Sequence, residues 1–184
     1  MRYHSGDPWG DRSTNVVVFL PPDDNMTQSQ YHSNQCIAKA TSTGERCRLR
    51  SARGRMCWHH ALRDLNLRVK TSNVKGAGLG LYTGNKPLKK GASVPYTGES
   101  LSRAQVDRRY KNETAQYTLC RSAKSCRDAI RSDEPGLARF INDSRGTTHR
   151  NNMRLTGAYT AKATRRIPPH TELFASYGAD YWKK

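Results

Sequence analysis

Three cysteines and a histidine within a short segment constrain this chain more than any other feature. Cys36, Cys47, Cys57 and His60 follow the spacing Cys-x10-Cys-x9-Cys-x2-His, which ends with a thiol and an imidazole one turn apart. Zn²⁺ takes four ligands of this kind in a tetrahedron. Residues 34–63 contain few aliphatic side chains, so a bound metal would supply the folding free energy that a hydrophobic core cannot. The sequence therefore predicts a structural zinc module over residues 34–63.

Two alternatives to this ligand set stay open. His59 is a rival to His60 as the fourth ligand, and the three thiols could also be unrelated to one another. The segment resembles a short Cys/His module found in many small proteins, and that resemblance favours His60. Five cysteines would leave one thiol over in a closed disulfide framework, which favours metal binding. The two remaining cysteines, Cys120 and Cys126, lie outside the module and are expected to be ordinary buried thiols.

Composition limits the size of the core that the rest of the chain can form. Only 27 of the 184 residues are Leu, Ile, Val or Phe, and the formal net charge is +17. This combination is typical of disorder, but nine Tyr and three Trp add apolar surface. We expect residues 1–33 to form a flexible arm, with at most one docked strand at Val16–Leu20, and the rest to fold around a small core.

The positive charge is concentrated after the first 30 residues. Residues 31–184 contain 30 Lys and Arg against 11 Asp and Glu, whereas residues 1–30 contain two Arg and four Asp. Such a basic surface attracts DNA or RNA through a salt-dependent phosphate interaction. No apolar run approaches the roughly 18 residues of a transmembrane helix, and Val16–Leu20 is too short for a signal peptide. We therefore expect a soluble intracellular protein with a polyanionic partner and no membrane contact.

From Leu67 onward, short β-like segments alternate with Gly, Pro and Asn. One helix is predicted over Arg103–Lys111, because Ser102 is a good N-cap and Val106 and Tyr110 lie one turn apart. The expected fold is mostly β with few short helices. The predicted strands are Leu67–Lys70, Leu79–Thr83, Ser93–Tyr96, Tyr117–Cys120, Ala158–Ala163 and Leu173–Ser176.

The segment Lys75–Gly80 is rich in glycine but does not match a dinucleotide fingerprint. Its sequence is Lys-Gly-Ala-Gly-Leu-Gly, and Gly84 and Pro87 follow where the fingerprint requires a long helix. Taken alone, it predicts a tight β-turn whose glycines permit close approach of a ligand to the backbone.

Four segments, in this order, resemble the SET-domain protein-lysine methyltransferases. The resemblance covers residues 67–182, and it implies a domain over residues 67–184 in which small twisted sheets form a pseudoknot. The ending Ser176-Tyr-Gly-Ala-Asp-Tyr-Trp182 is similar to that of minimal viral members, which also lack a trailing zinc segment. The four segments are Lys75–Tyr82, Val94–Glu99, Asp128-Ala129 with Gly136–Ser144, and Glu172–Gly178.

The resemblance also implies roles for individual residues. Tyr177 and Tyr96 would be catalytic, and together with Ala175 they would contact the substrate lysine. The residues implied to bind S-adenosylmethionine are Lys75, Gly76, Ala77, Gly78, Tyr117, Arg139, Asn142 and Asp143.

Two positions differ from the usual family pattern. Asp143 stands where the family commonly has a histidine that fixes the backbone, so we expect a lost backbone contact there, which bears on the affinity for the cofactor. Ala175 stands where the family commonly has Phe or Tyr, and its small side chain predicts di- or trimethylation.

The function implied by this resemblance is S-adenosylmethionine-dependent methylation of lysine in a histone tail or another basic protein tail. The charge adds an expectation of nuclear location and of contact with nucleosomal DNA, and a homodimer is compatible with the sequence. Two alternatives remain. One is a catalytically weak SET-like chromatin-binding module, and the other is a zinc-dependent nucleic-acid-binding protein in which residues 67–184 are a scaffold.

Overall fold

The computed structural model describes residues 34–51, 53–111, 115–130 and 136–182. The predicted arm 1–33, with its strand at Val16–Leu20, lies outside them. The α-helices are α1 (Trp58–Leu65) and α2 (Arg103–Tyr110), and 3₁₀ turns lie at Leu137–Phe140 and Ala179–Trp182. The strands are β1 (Asn34–Gln35), β2 (Arg50–Ser51), β3 (Leu67–Thr71), β4 (Leu79–Thr83), β5 (Ser93–Pro95), β6 (Glu99–Leu101), β7 (Thr118–Ser122), β8 (Ser125–Asp128), β9 (Met153–Thr156) and β10 (Thr160–Ala163).

These strands form four small antiparallel sheets. Two sheets are hairpins, β1–β2 and β3–β4, and two have three strands in the orders β5-β10-β9 and β6-β8-β7. The expected fold class, mostly β with few short helices, is confirmed. Within the described ranges, no helix is both long and apolar enough to cross a bilayer.

The main core lies where the β3–β4 hairpin, the β5-β10-β9 sheet and the C-terminal segment meet. Leu81, Ala161 and Leu173 are fully buried there. Because strand side chains alternate between faces, each short strand contributes only one or two core residues, which matches the low aliphatic content. A second cluster packs α2 against β6 and β8, through Leu101, Val106, Tyr110 and Cys126.

The predicted helix is confirmed as α2, which ends one residue earlier than expected. Ser102 Oγ accepts a hydrogen bond from the Gln105 amide at 3.2 Å, and Gln105 Oε1 accepts one from the Ser102 amide at 2.7 Å. This reciprocal capping box satisfies two amides at the helix N-terminus. Val106 and Tyr110 are buried as their spacing predicted.

The expectation of free thiols at Cys120 and Cys126 is wrong. These residues face each other in the register of β7 and β8, and a disulfide joins them. The hairpin brings their Cα atoms to 4.0 Å. Cys36, Cys47 and Cys57 are free thiols. Two of the five cysteines therefore form a disulfide, and the other three belong to the Cys/His cluster.

The predicted strand Leu173–Ser176 is instead an extended segment held by isolated bridges. Glu172 pairs with Tyr82 on β4, and Phe174 pairs in parallel with Asn142. On its other side, Phe174 O accepts hydrogen bonds from the amides of Asn152 and Met153 at 3.0 and 2.8 Å. The loop 143–151 joins these two flanks, so the C-terminal segment passes through a closed loop. This threading is the expected pseudoknot.

Candidate active site

A buried Cys/His cluster lies next to the β1–β2 hairpin. Cys36 follows β1, Cys57 precedes α1, and His60 lies in the first turn of that helix. The four ligand atoms of Cys36, Cys47, Cys57 and His60 lie within 4.8 Å of one another. His60 Nδ1 is 3.4 Å from Cys36 Sγ and 3.2 Å from Cys57 Sγ. The structure therefore brings together the four residues that the spacing selects.

The donor set of this cluster fits a tetrahedral zinc ion. Burial raises the pKa of the Cys57 thiol to about 12, so a divalent cation is needed to stabilise its thiolate at neutral pH. His60 belongs to the cluster, whereas the His59 ring stacks on Trp58 with centroids 4.1 Å apart. The helix that carries His60 packs against β3, so the cluster also supports the start of the main domain.

The glycine-rich segment forms the turn between β3 and β4. Gly76 and Gly78 adopt left-handed φ angles of 77° and 64°, which favour glycine. A Cβ at either position would meet no atom within 4 Å, so the backbone of this turn is open on that side. Lys75 is exposed at the same turn, beside the half-buried Ala77. An open backbone of this kind can be approached by a ligand.

A buried carboxylate that the sequence analysis did not single out holds the base of this turn. Glu172 is 2% exposed and accepts hydrogen bonds from Ser72 Oγ at 2.6 Å and from the Asn73 amide at 2.8 Å. Tyr82 OH donates to the same carboxylate at 2.8 Å. A Cβ on Gly80 would lie 2.2 Å from Glu172 Oε1, so glycine is required there. The sequence signal for this buried carboxylate was an acidic residue directly before the apolar residues Leu173–Ala175.

Asn142 links the same turn to the pseudoknot. Its Nδ2 donates to Leu79 O at 3.0 Å and to Ser72 Oγ at 3.1 Å, and its carbonyl accepts from the Ala175 amide at 2.9 Å. The amide nitrogen of Asn142 therefore stabilises the glycine turn. Its role toward a cofactor stays a prediction.

Three tyrosines lie together beside the threaded segment. Tyr177 OH donates to Ile141 O at 2.9 Å, and the Tyr96 hydroxyl has no hydrogen bond to any residue that the structure describes. Burial raises the pKa of Tyr96 and of Tyr177, and a negative charge on Tyr177 would raise the pKa of Tyr96 further. The phenol of Tyr117 adds a smaller effect on both pKa values. The three phenols are therefore close enough for a charge on one to affect the pKa of another.

Arg139 lies under this group rather than beside the glycine turn. Its guanidinium donates to Ala129 O at 2.7 Å and lies over the rings of Phe140 and Tyr117, 4.7 and 5.4 Å from their centroids. The residue is 7% exposed. The structure thus assigns Arg139 a packing contact with Tyr117, and cofactor binding by Arg139 stays a prediction.

Residues 78–178 match the family model described as SET domain. The match spans more than half of the chain, begins at Gly78 at the end of the glycine turn, and includes the three tyrosines and the threaded segment. The chain belongs to the SET domain family. Members of this family are in general protein-lysine methyltransferases that use S-adenosylmethionine.

The chain is also similar to solved structures, of which 227 chains match. The chain is similar to the methyltransferase domain of human PR domain-containing protein 2, with 24% identity and a TM-score of 0.46. That match covers 66% of this chain and 84% of the other. No curated protein sequence matches the chain.

The SET domain has a cavity of about 330 Å³, and Asp143, the residue after Asn142, is part of its wall. It lies within the usual size range of ligand pockets. Arg145 lies over the Trp182 ring at 5.4 Å from its centroid, so one wall combines a cation with an aromatic face. Asn142, whose side chain contacts the end of the glycine turn through Leu79 O, directly precedes Asp143 in the cavity wall. The lining residues are Asp143, Ser144, Arg145, Asn151, Ser176, Gly178, Ala179 and Trp182.

Ala175 lies in the threaded segment of the SET domain, two residues before Tyr177. It is fully buried, and its amide is held by Asn142 O. Neighbouring side chains of an extended segment point to opposite sides, and Phe174 stacks on His149 with centroids 5.1 Å apart. Phe174 is therefore directed away from the side on which Ala175 lies.

Proposed function

We propose that this SET domain transfers a methyl group from S-adenosylmethionine to the ε-amine of a lysine in a histone tail. The observation that carries the proposal is the pair of phenols beside the threaded segment, the buried Tyr96 and the half-buried Tyr177. Tyr96 is 9% exposed, and its hydroxyl makes no hydrogen bond with the described residues, so it is available to a polar ligand group.

The chemistry required of the protein is alignment and desolvation. S-adenosylmethionine supplies an activated methyl on its sulfonium, so no further activation of the methyl is needed. A free lysine has a pKa near ~10.4, and burial of its amine favours the neutral, nucleophilic form. Tyr96 and Tyr177 have raised pKa values, so both stay neutral at physiological pH and can orient the nitrogen without adding a charge. Proximity then provides most of the acceleration.

Ile141 and Asp143 keep Tyr177 in place for this task. The Ile141 carbonyl accepts the phenol proton, and the Asp143 carboxylate accepts the Tyr177 amide proton at 2.8 Å. Both ends of the residue are therefore fixed by the segment that also carries Asn142. Such fixation matters because a small displacement of a reacting geometry costs much of the rate.

The charge of the protein supports chromatin as the setting. A protein with a net charge of +17 repels a free basic tail. The same charge attracts DNA, and histone tails lie next to DNA in chromatin. We therefore infer nuclear location, and we infer that nucleosomes are better substrates than isolated tail peptides. The small side chain of Ala175 supports addition of two or three methyl groups, because it leaves the amine free to rotate between transfers.

Transfer of labelled methyl to core histones, free and in nucleosomes, tests this proposal. We expect label in one histone band, more with nucleosomes than with free histones, and a strong decrease for Tyr177→Phe. Protein that binds S-adenosylmethionine but labels no histone would contradict the histone target. Protein that binds nucleosomes but not S-adenosylmethionine would instead support the chromatin-binding alternative.

A further inference from the structure

The outer face of the β5-β10-β9 sheet carries cations and no carboxylate. Val94, Ala161 and Met153 point into the core, so the alternate residues of the three strands face outward. Lys162 on the central strand β10 is paired directly with Arg154 on β9 and with Ser93 on β5. These three residues form one exposed row across the sheet.

A second set of cations lies in two turns at one end of the same sheet. Leu88 and Ile167 exchange two backbone hydrogen bonds of 2.9 Å, and Gly91 donates to Ala163 O at 2.8 Å. The turn after Leu88 therefore lies beside the turn before Ile167. These turns contribute four exposed residues: Lys89, Lys90, Arg165 and Arg166.

The sequence keeps negative charge away from this face. Residues 73–98 and 144–171, which contain all three strands and both turns, include no Asp or Glu. Among the residues that the structure describes, none of the six cations forms an ion pair. Exposed acids occur elsewhere, where Glu99 and Asp107 pair with arginines on α2.

Protection of a sheet edge does not account for this pattern. Lysine is common on edge strands, where it prevents pairing with other chains, but Lys162 lies on the central strand. Like charges directly opposite each other destabilise an antiparallel pair, so the Arg154–Lys162 pair costs stability in the isolated protein. A polyanion lying across the row would remove that cost.

We propose that this face, defined by Lys89, Lys90, Arg154, Lys162, Arg165 and Arg166 and called the cationic sheet, docks on the phosphate backbone of duplex DNA. Proteins that bind single strands stack bases on exposed aromatic rings. Ser93, Arg154 and Lys162 form the exposed row, and it contains no aromatic residue. Phosphate contact without stacking favours a duplex. The proposal deepens the proposed function, and rests on it, by assigning the DNA contact to a surface.

Salt-dependent binding of a labelled 30-base-pair duplex of random sequence tests the cationic sheet. The double variant Arg154→Gln/Lys162→Gln is compared with Arg108→Gln/Lys124→Gln, which removes two exposed cations from α2 and the β7–β8 turn. Both variants change the net charge equally. Each lost phosphate contact reduces the slope of log affinity against log salt by ~0.9. We expect a reduction of ~1.8 and more than tenfold weaker binding at 100 mM salt for the first variant only.

Several outcomes would overturn the proposal. The first is an equal loss of DNA affinity in the two double variants, and the second is tighter binding of single-stranded DNA than of the duplex. The third is equally tight binding of polyglutamate with the same number of charges, which would indicate an acidic protein as partner. Lys89→Gln/Lys90→Gln provides a second test on a turn, where folding does not depend on strand pairing.

Methyl transfer to a free tail peptide, measured without DNA, separates the two proposals. Suppose that neither the unaltered protein nor the Arg154→Gln/Lys162→Gln variant methylates the peptide, but the slope of log affinity against log salt still differs between them. The cationic sheet is then supported and the proposed methyl transfer is not.

Discussion

The backbone amide of Tyr177 donates a hydrogen bond to Asp143 Oδ2 at 2.8 Å. The same oxygen accepts from Trp182 Nε1 at 3.2 Å, and Oδ1 accepts from the Arg145 amide at 2.9 Å. The sequence predicts that Asp143 loses the backbone contact made by the usual histidine of the family. The carboxylate instead fixes three donors, so the expected loss of backbone fixation is wrong, while the affinity for the cofactor stays a prediction.

Replacing Asp143 should therefore disturb both stability and the tyrosine. We expect Asp143→Ala to lower the free energy of unfolding by at least ~2 kcal/mol, because hydrogen bonds to a charged acceptor are lost at a site that is 8% exposed. Methyl transfer should fall with it. Asp143→Asn, which retains one carbonyl acceptor, should lose about half as much. Chemical denaturation measures the first effect, and an Ala variant as stable as the unaltered protein would contradict this account.

The fourth zinc ligand can be tested with two adjacent histidines. Elemental analysis of the purified protein should give one equivalent of zinc, and His60→Ala should lose it and destabilise residues 34–63. His59→Ala is the matched control and should retain the metal, because the His59 ring stacks on Trp58 outside the cluster. Folded protein without zinc, or loss of zinc only in the His59 variant, would refute this ligand set. Cys47→Ser should behave as His60→Ala does.

Alkaline pH should destabilise the fold through its buried tyrosines. Burial raises the pKa of Tyr82, Tyr96 and Tyr177, so above the ordinary value of ~10 the unfolded chain releases protons that the folded chain keeps. The free energy of unfolding should be unaffected by these groups below pH ~9 and fall above pH ~10, by ~1.4 kcal/mol per pH unit for each tyrosine. Denaturation at several pH values measures the slope. Tyr96→Phe should reduce this slope by the contribution of one tyrosine, ~1.4 kcal/mol per pH unit. An unchanged slope would be evidence against a raised pKa of Tyr96.

The product of the reaction depends, on this account, on the size of residue 175. Mass spectrometry of a tail peptide taken to completion should show di- or trimethyllysine for the unaltered protein. Ala175→Tyr should shift the product toward monomethyllysine. Because Ala175 is fully buried and the large residue could prevent folding, Ala175→Ser provides a second variant that adds a hydroxyl with little volume. Accumulation of monomethyllysine by the unaltered protein, with cofactor in excess, would disprove the role of Ala175.

Elements with local signals were predictable from the sequence. The helix α2 has both its capping box and its buried pair within nine residues, and β3 and β4 have apolar residues at strand spacing. The Cys/His spacing likewise selected the four residues that the fold brings together. In each case, the interactions that define the element lie close together along the chain.

Elements defined by distant partners were missed. The strands β6, β8 and β9 have only three or four mostly polar residues, and their pairing with other strands stabilises them. Without β8, the register that places Cys126 opposite Cys120 could not be seen, and the disulfide was missed with it. Glu172 acts through Ser72 and Asn73, about 100 residues earlier. The helix α1 has no side-chain cap, and its N-cap residue is Cys57 of the Cys/His cluster.

Methyl transfer by Tyr177→Phe tests the central claim most directly. This change removes one hydroxyl and leaves the ring, and Tyr159→Phe is the matched control, because Tyr159 OH also makes one hydrogen bond, to Ser125 Oγ at 2.7 Å. With nucleosomes and S-adenosylmethionine at saturation, the account predicts that kcat falls by about 10- to 100-fold for Tyr177→Phe and stays within about twofold for Tyr159→Phe. Equal kcat values for the two folded variants would contradict a role of the Tyr177 hydroxyl at the reacting amine.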